Sequence, residues 1–180
     1  MIEELTEQRE KHKQSCINNN DNSHAIIADL YSDPTHFIFE IIQNAEDAKA
    51  KYINFSLIDN NLGIEHDGDE FIHSDIASIT TVGDSTKKDD INKIGKFGAG
   101  FKSVFAVTNT PKIYSGKYHF EIKDFIIPVE IDSINLENNI TRIILPLKNE
   151  EVKEKISEKL QNLEMETLLF LNNINEINYQ

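Results

Sequence analysis

The chain is short of the residues that several chemistries require. A single cysteine, Cys16, excludes an internal disulfide framework and a cysteine-built metal cluster, and no base partner for it is evident. No apolar run is long enough to span a bilayer, and the charged N-terminus does not read as a secretory signal, so a cytoplasmic setting is expected. Basic residues are scarce. Eighteen Lys and Arg against 31 Asp and Glu leave a net charge of −13, whereas direct nucleic-acid binding needs a basic footprint. A phosphate ligand remains compatible with this balance, because a magnesium ion and a few backbone N–H groups can hold one against an acidic background. The histidines (His12, His24, His36, His66, His73 and His119) form no His-Glu-x-x-His pair, and no Gly-x-Ser-x-Gly elbow occurs. These absences argue against a zinc hydrolase and a serine hydrolase.

What is present suits one domain, or one domain and a short annex, in 180 residues. A hydrophobic fraction of 39% is ordinary for a protein with a real core. Residues 2–16 read as a charged helix, 17–23 as a polar break and 24–31 as a short helix. Asp33-Pro34 reads as a helix start, a capping carboxylate followed by proline, opening a helix over 34–50. On it, Glu40, Asn44 and Asp47 fall at i, i+4 and i+7 and share one face, beside an apolar side of Phe37, Ile38, Ile41, Ile42 and Ala45. Strands are expected at 51–58 and 62–67, joined by a turn at Asp59-Asn60-Asn61, with Leu62, Ile64 and His66 on one side of the second. A short helix begun near Asp75 follows at 72–80. Residues 83–94 are small, polar and charged and read as a long loop of the kind that binds or covers a ligand. Then come a glycine turn feeding a helix (95–107), strands at 111–115, 118–123, 125–131 and 139–147, helices at 149–161 and 164–171, and a closing strand near 176–179. This order suggests an α+β two-layer sandwich, a mixed, mainly antiparallel sheet covered on one face by helices.

The glycine cluster at Gly95, Gly98 and Gly100 fits neither a P-loop nor a dinucleotide fingerprint. A glycine-rich turn entering a helix still has a physical use: backbone N–H groups can approach phosphate oxygens, and a helix N-terminus favours negative charge.

Two boxes together carry a resemblance. Glu40-x-x-x-Asn44-Ala45-x-Asp47-Ala48 resembles the N-box of the GHKL superfamily of gyrase, heat-shock chaperone, histidine-kinase and MutL ATPases. Gly95-x-Phe97-Gly98-x-Gly100-Phe101-Lys102-Ser103-Val104 resembles its later glycine box. Thr141, in Thr-Arg-Ile-Ile-Leu-Pro-Leu, is similar to its late threonine-bearing strand. The likeness runs from about Asp33 to Leu147 and is greatest to the sacsin N-terminal ATPase-like group. It implies a Bergerat-type ATP-binding domain over 33–180 behind a helical lead-in (1–32), at the head of a longer protein.

The resemblance also implies site roles. Asn44 would offer its side-chain oxygen to Mg2+. Glu40 would activate water as general base. Asp47 and Ala48 would border the pocket. Gly95, Lys96, Phe97, Gly98, Ala99, Gly100 and Phe101 would cradle the phosphates, with Lys102 adding charge, and Ser85, Thr86 and Lys87 would approach them from a lid. The adenine motif departs from the family's Asp-x-Gly-x-Gly: the row reads His66-Asp67-Gly68-Asp69-Glu70-Phe71. Matching glycine to glycine puts His66 in the aspartate slot, and sliding by one puts Asp67 there; strand alternation favours the first and carboxylate chemistry the second. The implied activity is slow magnesium-dependent ATP hydrolysis to ADP and phosphate, driving lid closure, conformational change or a nucleotide-dependent dimer in a chaperone-like or defence-type protein. The alternatives are a non-hydrolysing nucleotide sensor and a histidine-kinase-like catalytic domain.

Overall fold

Alternation of apolar and polar residues sets the architecture. The computed structural model of the protein describes residues 2–18, 33–81, 100–137, 139–163 and 165–180. Its elements run α1 (Ile2–Asn18), α2 (Phe37–Asp47), β1 (Tyr52–Ile58), β2 (Asn61–His66), α3 (His73–Ile79), a 3-10 helix (Phe101–Ala106), β3 (Lys112–Ser115), β4 (Tyr118–Lys123), β5 (Ile127–Glu130), β6 (Thr141–Pro146), α4 (Glu150–Gln161), a second 3-10 helix (Met165–Phe170) and β7 (Glu176–Tyr179). The readings at 24–31, 83–94 and 95–99, and most of the polar break, lie outside the described residues.

The strands form one seven-stranded sheet in the order β5-β4-β3-β6-β2-β1-β7. Pairing is antiparallel throughout except for β1 with β7. The period of two puts Ile53 and Phe55 of β1, Leu62, Ile64 and His66 of β2, and Thr141, Ile143 and Leu145 of β6 on one buried face. Register aligns them: Ile64 pairs with Phe55 and Ile143, and His66 with Ile53 and Thr141. Helices pack on this face, Phe37, Ile38, Ile41 and Ala45 of α2 joining Phe101, Val104 and Phe105 in the same core. The result is the expected mixed, mainly antiparallel α+β arrangement. The opposite face carries polar groups such as the Glu65–Arg142 ion pair between neighbouring strands.

Several boundaries differ from the sequence reading. α2 starts at Phe37 rather than at residue 34. Asp33 Oδ1 accepts from the Thr35 N–H (2.8 Å) and hydroxyl (2.7 Å), so it caps a preceding turn rather than the helix itself. The helix stops at Asp47, after which Lys49 takes a positive φ of 61°. The segment after Gly100 is 3-10, closed by Ser103 N–H to Gly100 C=O (3.1 Å) and Val107 N–H to Val104 C=O (3.0 Å); such tight turns suit short helices. β5 begins at Ile127 because Asp124 and Phe125, with φ of 49° and 69°, make the turn before it. Asp75 lies inside α3, its carboxylate accepting from the Ile72 N–H at 2.8 Å. α1 packs beside β5, its Ile2 and Leu5 joining the core and its Thr6 hydroxyl donating to the Pro128 carbonyl.

Candidate functional site

α2 presents its polar face to a cavity of about 470 Å3. Asn44, Asp47 and Ala48 border it from the helix, His66 from the end of β2, and Phe71 and Phe101 from the segments after β2 and at the start of the first 3-10 helix. Glu40 lies one turn before Asn44 and is half-buried. Its Oε1 lies 3.1 Å from His36 Nε2, and its Oε2 lies against Gly100, so close that a Cβ on residue 100 would overlap the carboxylate. The acid of the first box therefore touches the last glycine of the second. Asp47 is exposed and accepts a bond from Gln43 Nε2 (3.3 Å).

The segment after β2 separates the two adenine candidates. Asp67 Oδ1 accepts from the backbone N–H groups of Lys51 (2.7 Å) and Tyr52 (3.1 Å), which ties the carboxylate to the start of β1. His66 is 4% exposed and turns into the cavity. Its Nδ1 accepts from the Gly68 N–H at 3.2 Å, and burial, only partly offset by the Asp67 charge, lowers its pKa to about 4. The ring is neutral at physiological pH. Gly68 is needed for packing: a Cβ there would stand 2.7 Å from the Ala48 carbonyl oxygen and 2.9 Å from its Cβ. The Asp69 N–H bonds the same carbonyl at 2.7 Å, so the end of β2 is fastened to the end of α2.

Thr141 is fully buried next to His66 on β6 and does not border the cavity. Its hydroxyl meets that of Ser115 at 2.5 Å, and Ser115 Oγ accepts from the Phe71 N–H at 2.9 Å. Thr141 thereby reaches the site through Ser115, which sequence reasoning did not single out. Lys102 is buried, with Nζ 3.4 Å from the Phe125 carbonyl. Burial, with Arg9 nearby, lowers its pKa to about 8. It points into the protein body, neither to solvent nor into the cavity. Ser85, Thr86, Lys87, Gly95, Lys96, Phe97, Gly98 and Ala99 lie outside the described residues. Among the described residues no cluster of three or more His, Cys, Asp and Glu side chains could hold a metal ion by itself. The oxygens of Asn44 and Asp47 on the cavity rim are nevertheless hard donors that suit magnesium, which usually takes few protein ligands and fills its shell with water and phosphate oxygens.

Sequence reasoning also missed Glu46. It is 6% exposed, on the side of α2 away from the cavity. Its carboxylate accepts from the backbone N–H groups of Asn172, Asn173 and Ile174 at 2.9–3.0 Å and from Asn173 Nδ2 at 2.8 Å. Burial pushes its pKa up, but these donors outweigh burial and hold it below the ordinary carboxylate value. Glu46 thus clamps the helix that carries Glu40 and Asn44 to the segment entering β7. From sequence it is one more acid on a polar helix, since its partners lie about 126 residues away.

Comparison with known proteins bears on this arrangement. The family model of the Sacsin domain matches residues 64–134. The chain is 34% identical over 121 residues to Protein NO VEIN of Arabidopsis thaliana, covering 61% of this chain. It is 31% identical over 111 residues to human Sacsin, covering 51%. It is 31% identical over 184 residues to Chaperone protein HtpG of Aliarcobacter butzleri, covering 78%. It spans only 4%, 2% and 28% of the lengths of these three relatives. Among the described residues no helix is long and apolar enough to cross a membrane. With the paired boxes, the sheet and these matches, the chain belongs to the sacsin-type, ATPase-like domains of the GHKL superfamily.

Proposed function

We propose that this domain binds ATP with magnesium and hydrolyses it slowly to ADP and phosphate, and that the cycle drives a conformational change in a longer, cytoplasmic, chaperone-like or defence-type protein. The observation that carries the reading is the contact of Glu40 with Gly100 beside the cavity bordered by Asn44. Glu40 lies one helical turn before the amide of Asn44 and touches Gly100, the last glycine of the second box. The relative named as a chaperone supports the setting, and the small share of each relative's length that the chain spans supports further domains.

Each role follows from the chemistry of its group. The magnesium ion would neutralise phosphate charge, with Asn44 and Asp47 supplying oxygens on the protein side. Main-chain N–H groups from Gly98 to Phe101 would hold the γ-phosphate, with Gly95, Lys96 and Phe97 leading into the turn. Glu40 would take a proton from a water as its oxygen attacks the γ-phosphorus, the bond to the β–γ bridging oxygen breaking to release ADP. The contact between Glu40 and His36 keeps the carboxylate oriented. Ser85, Thr86 and Lys87 would cover the phosphates, and His66 would meet the base. The unit would be residues 33–180, with 1–32 as its lead-in, and slow turnover would reflect the need for a phosphate-sensing residue from elsewhere.

The test is Glu40→Ala in the 180-residue chain. Phosphate release should fall to background while ATP affinity stays within about threefold, because the acid acts on water and not on the ligand's anchors. Loss of nucleotide binding in a variant that still folds would sink the assigned role.

A further inference from the structure

A second cavity, of about 420 Å3, lies between α2, the end of α4 and the second 3-10 helix. Its base is Ile42, a core residue, with Leu163 and Leu171, which pack against the core. Its sides are Phe39 of α2 and Phe170 of the 3-10 helix, 38% and 83% exposed. Large apolar side chains left uncovered around a groove mark a contact site. Lys159 stands at the rim with its Nζ 4.9 Å from the centroid of the Phe39 ring. The neighbouring lysines of α4 are paired, Lys153 with Glu150 and Lys155 with Glu151, whereas Lys159 forms no ion pair with a described residue. Asp33 lies near enough to feel its charge, but Asp33 Oδ1 accepts from the Thr35 N–H and hydroxyl. Among the described residues no carboxylate borders this groove, while each of three other cavities is bordered by at least two.

From this local reversal of charge around an uncovered apolar groove we propose that it docks an acidic segment of a partner protein, a peptide with a bulky apolar side chain beside an Asp or Glu. The apolar side chain fills the space between Phe39 and Phe170, and the carboxylate meets Lys159 Nζ. The rim amides decide for a peptide over a fatty acid of the same polarity. Gln43 Nε2 donates to Asp47 Oδ1 (3.3 Å) and Asn162 Nδ2 to the Glu158 carbonyl (2.8 Å), while their side-chain oxygens accept from no described residue. Those oxygens need N–H donors, which a peptide backbone carries and an acyl chain lacks. The net charge of −13 does not oppose this choice. At physiological salt charges farther apart than about 8 Å are largely screened, so the cation at the groove sets the sign of what seats there. The proposal stands independently of the nucleotide site.

The experiment pans a random-peptide phage library on the immobilised 180-residue chain and measures the enriched peptide, made with a fluorescein label, by anisotropy. Enriched sequences should place Leu, Ile or Phe next to or one residue from Asp or Glu. Phe170→Ser should weaken the labelled peptide roughly tenfold, as loss of an aromatic wall does. Its side chain is 83% exposed, so the fold does not depend on it. Lys159→Glu should weaken the peptide about fivefold, and exchanging the peptide's acid for lysine should restore binding to that variant, a rescue that a merely misfolded chain would not show. Enrichment of basic sequences, or of none, overturns the proposal, as does binding that both substitutions leave unchanged. A dimer seen by equilibrium sedimentation and dissolved by Phe170→Ser overturns it too, since a second copy would then be the occupant.

Discussion

Replacing Glu46 by glutamine keeps the outline of the side chain and should nonetheless destabilise the domain severely. Both carboxylate oxygens face only donors: Oε1 takes the N–H groups of Asn172 and Asn173 and the Asn173 side-chain amide, and Oε2 takes those of Asn173 and Ile174. Glutamine must point its NH2 at one set. In the less costly orientation the NH2 replaces Oε2, which strips the Ile174 N–H of its acceptor. A buried N–H left without a partner costs about 1–3 kcal/mol, and the remaining bonds lose their charge assistance, together about 3 kcal/mol. Urea denaturation followed by circular dichroism should place the midpoint of Glu46→Gln about 1.5 M below that of the parent, with an unchanged slope. The direction of the Glu46 pKa adds a second signature. A carboxyl whose pKa is lowered on folding contributes stability that is complete above its unfolded value and is lost as pH falls through its native value. The gap between parent and variant should therefore close as pH drops below about 4.5. A variant within about 0.5 kcal/mol of the parent at neutral pH would refute the clamp.

Two further substitutions separate packing from chemistry. Gly100 has φ of −62°, so alanine meets no backbone strain there; its methyl group should displace the Glu40 carboxylate and lower phosphate release at least tenfold, by roughly the loss of a positioned base, with the melting temperature unchanged. Gly68→Ala instead drives a methyl group into the Ala48 carbonyl and Cβ, atoms held by the backbone, and should cost about 2 kcal/mol, read as a melting point several degrees lower.

The parts of the fold that were legible in the sequence are those set by local period. The polar stripe of Glu40, Asn44 and Asp47, the alternation of Ile53 and Phe55, and the inward face of Leu62, Ile64 and His66 all follow from 3.6- or 2-residue repeats. Sequence could not choose between His66 and Asp67, because the choice depends on what Asp67 meets, and its partners Lys51 and Tyr52 are brought to it by the β1–β2 hairpin. The start of α2 was misplaced because Asp33 can cap either a turn or a helix, and Thr35 supplies the turn. The 3-10 form of Phe101–Ala106 was hidden for a different reason: Phe-Lys-Ser-Val-Phe has helix-like apolar spacing in either geometry, and packing against α2 decides between them. Glu46 and Ser115 escaped notice because their roles exist only between segments far apart in the chain.

One strand joins what would otherwise be two unconnected ladders. β6 lies between β3 and β2, so the meander β3-β4-β5 and the hairpin β1-β2 share no edge until residues 141–146 are in place. His66, which borders the cavity, belongs to one ladder and Ser115, which holds the Phe71 N–H, to the other. Each ladder can assemble from neighbours in sequence, but only the late arrival of this central staple brings their ends level. A chain cut before residue 141 should thus keep local pairing and lose the cavity, and a peptide carrying the missing strand is the natural reagent with which to restore it.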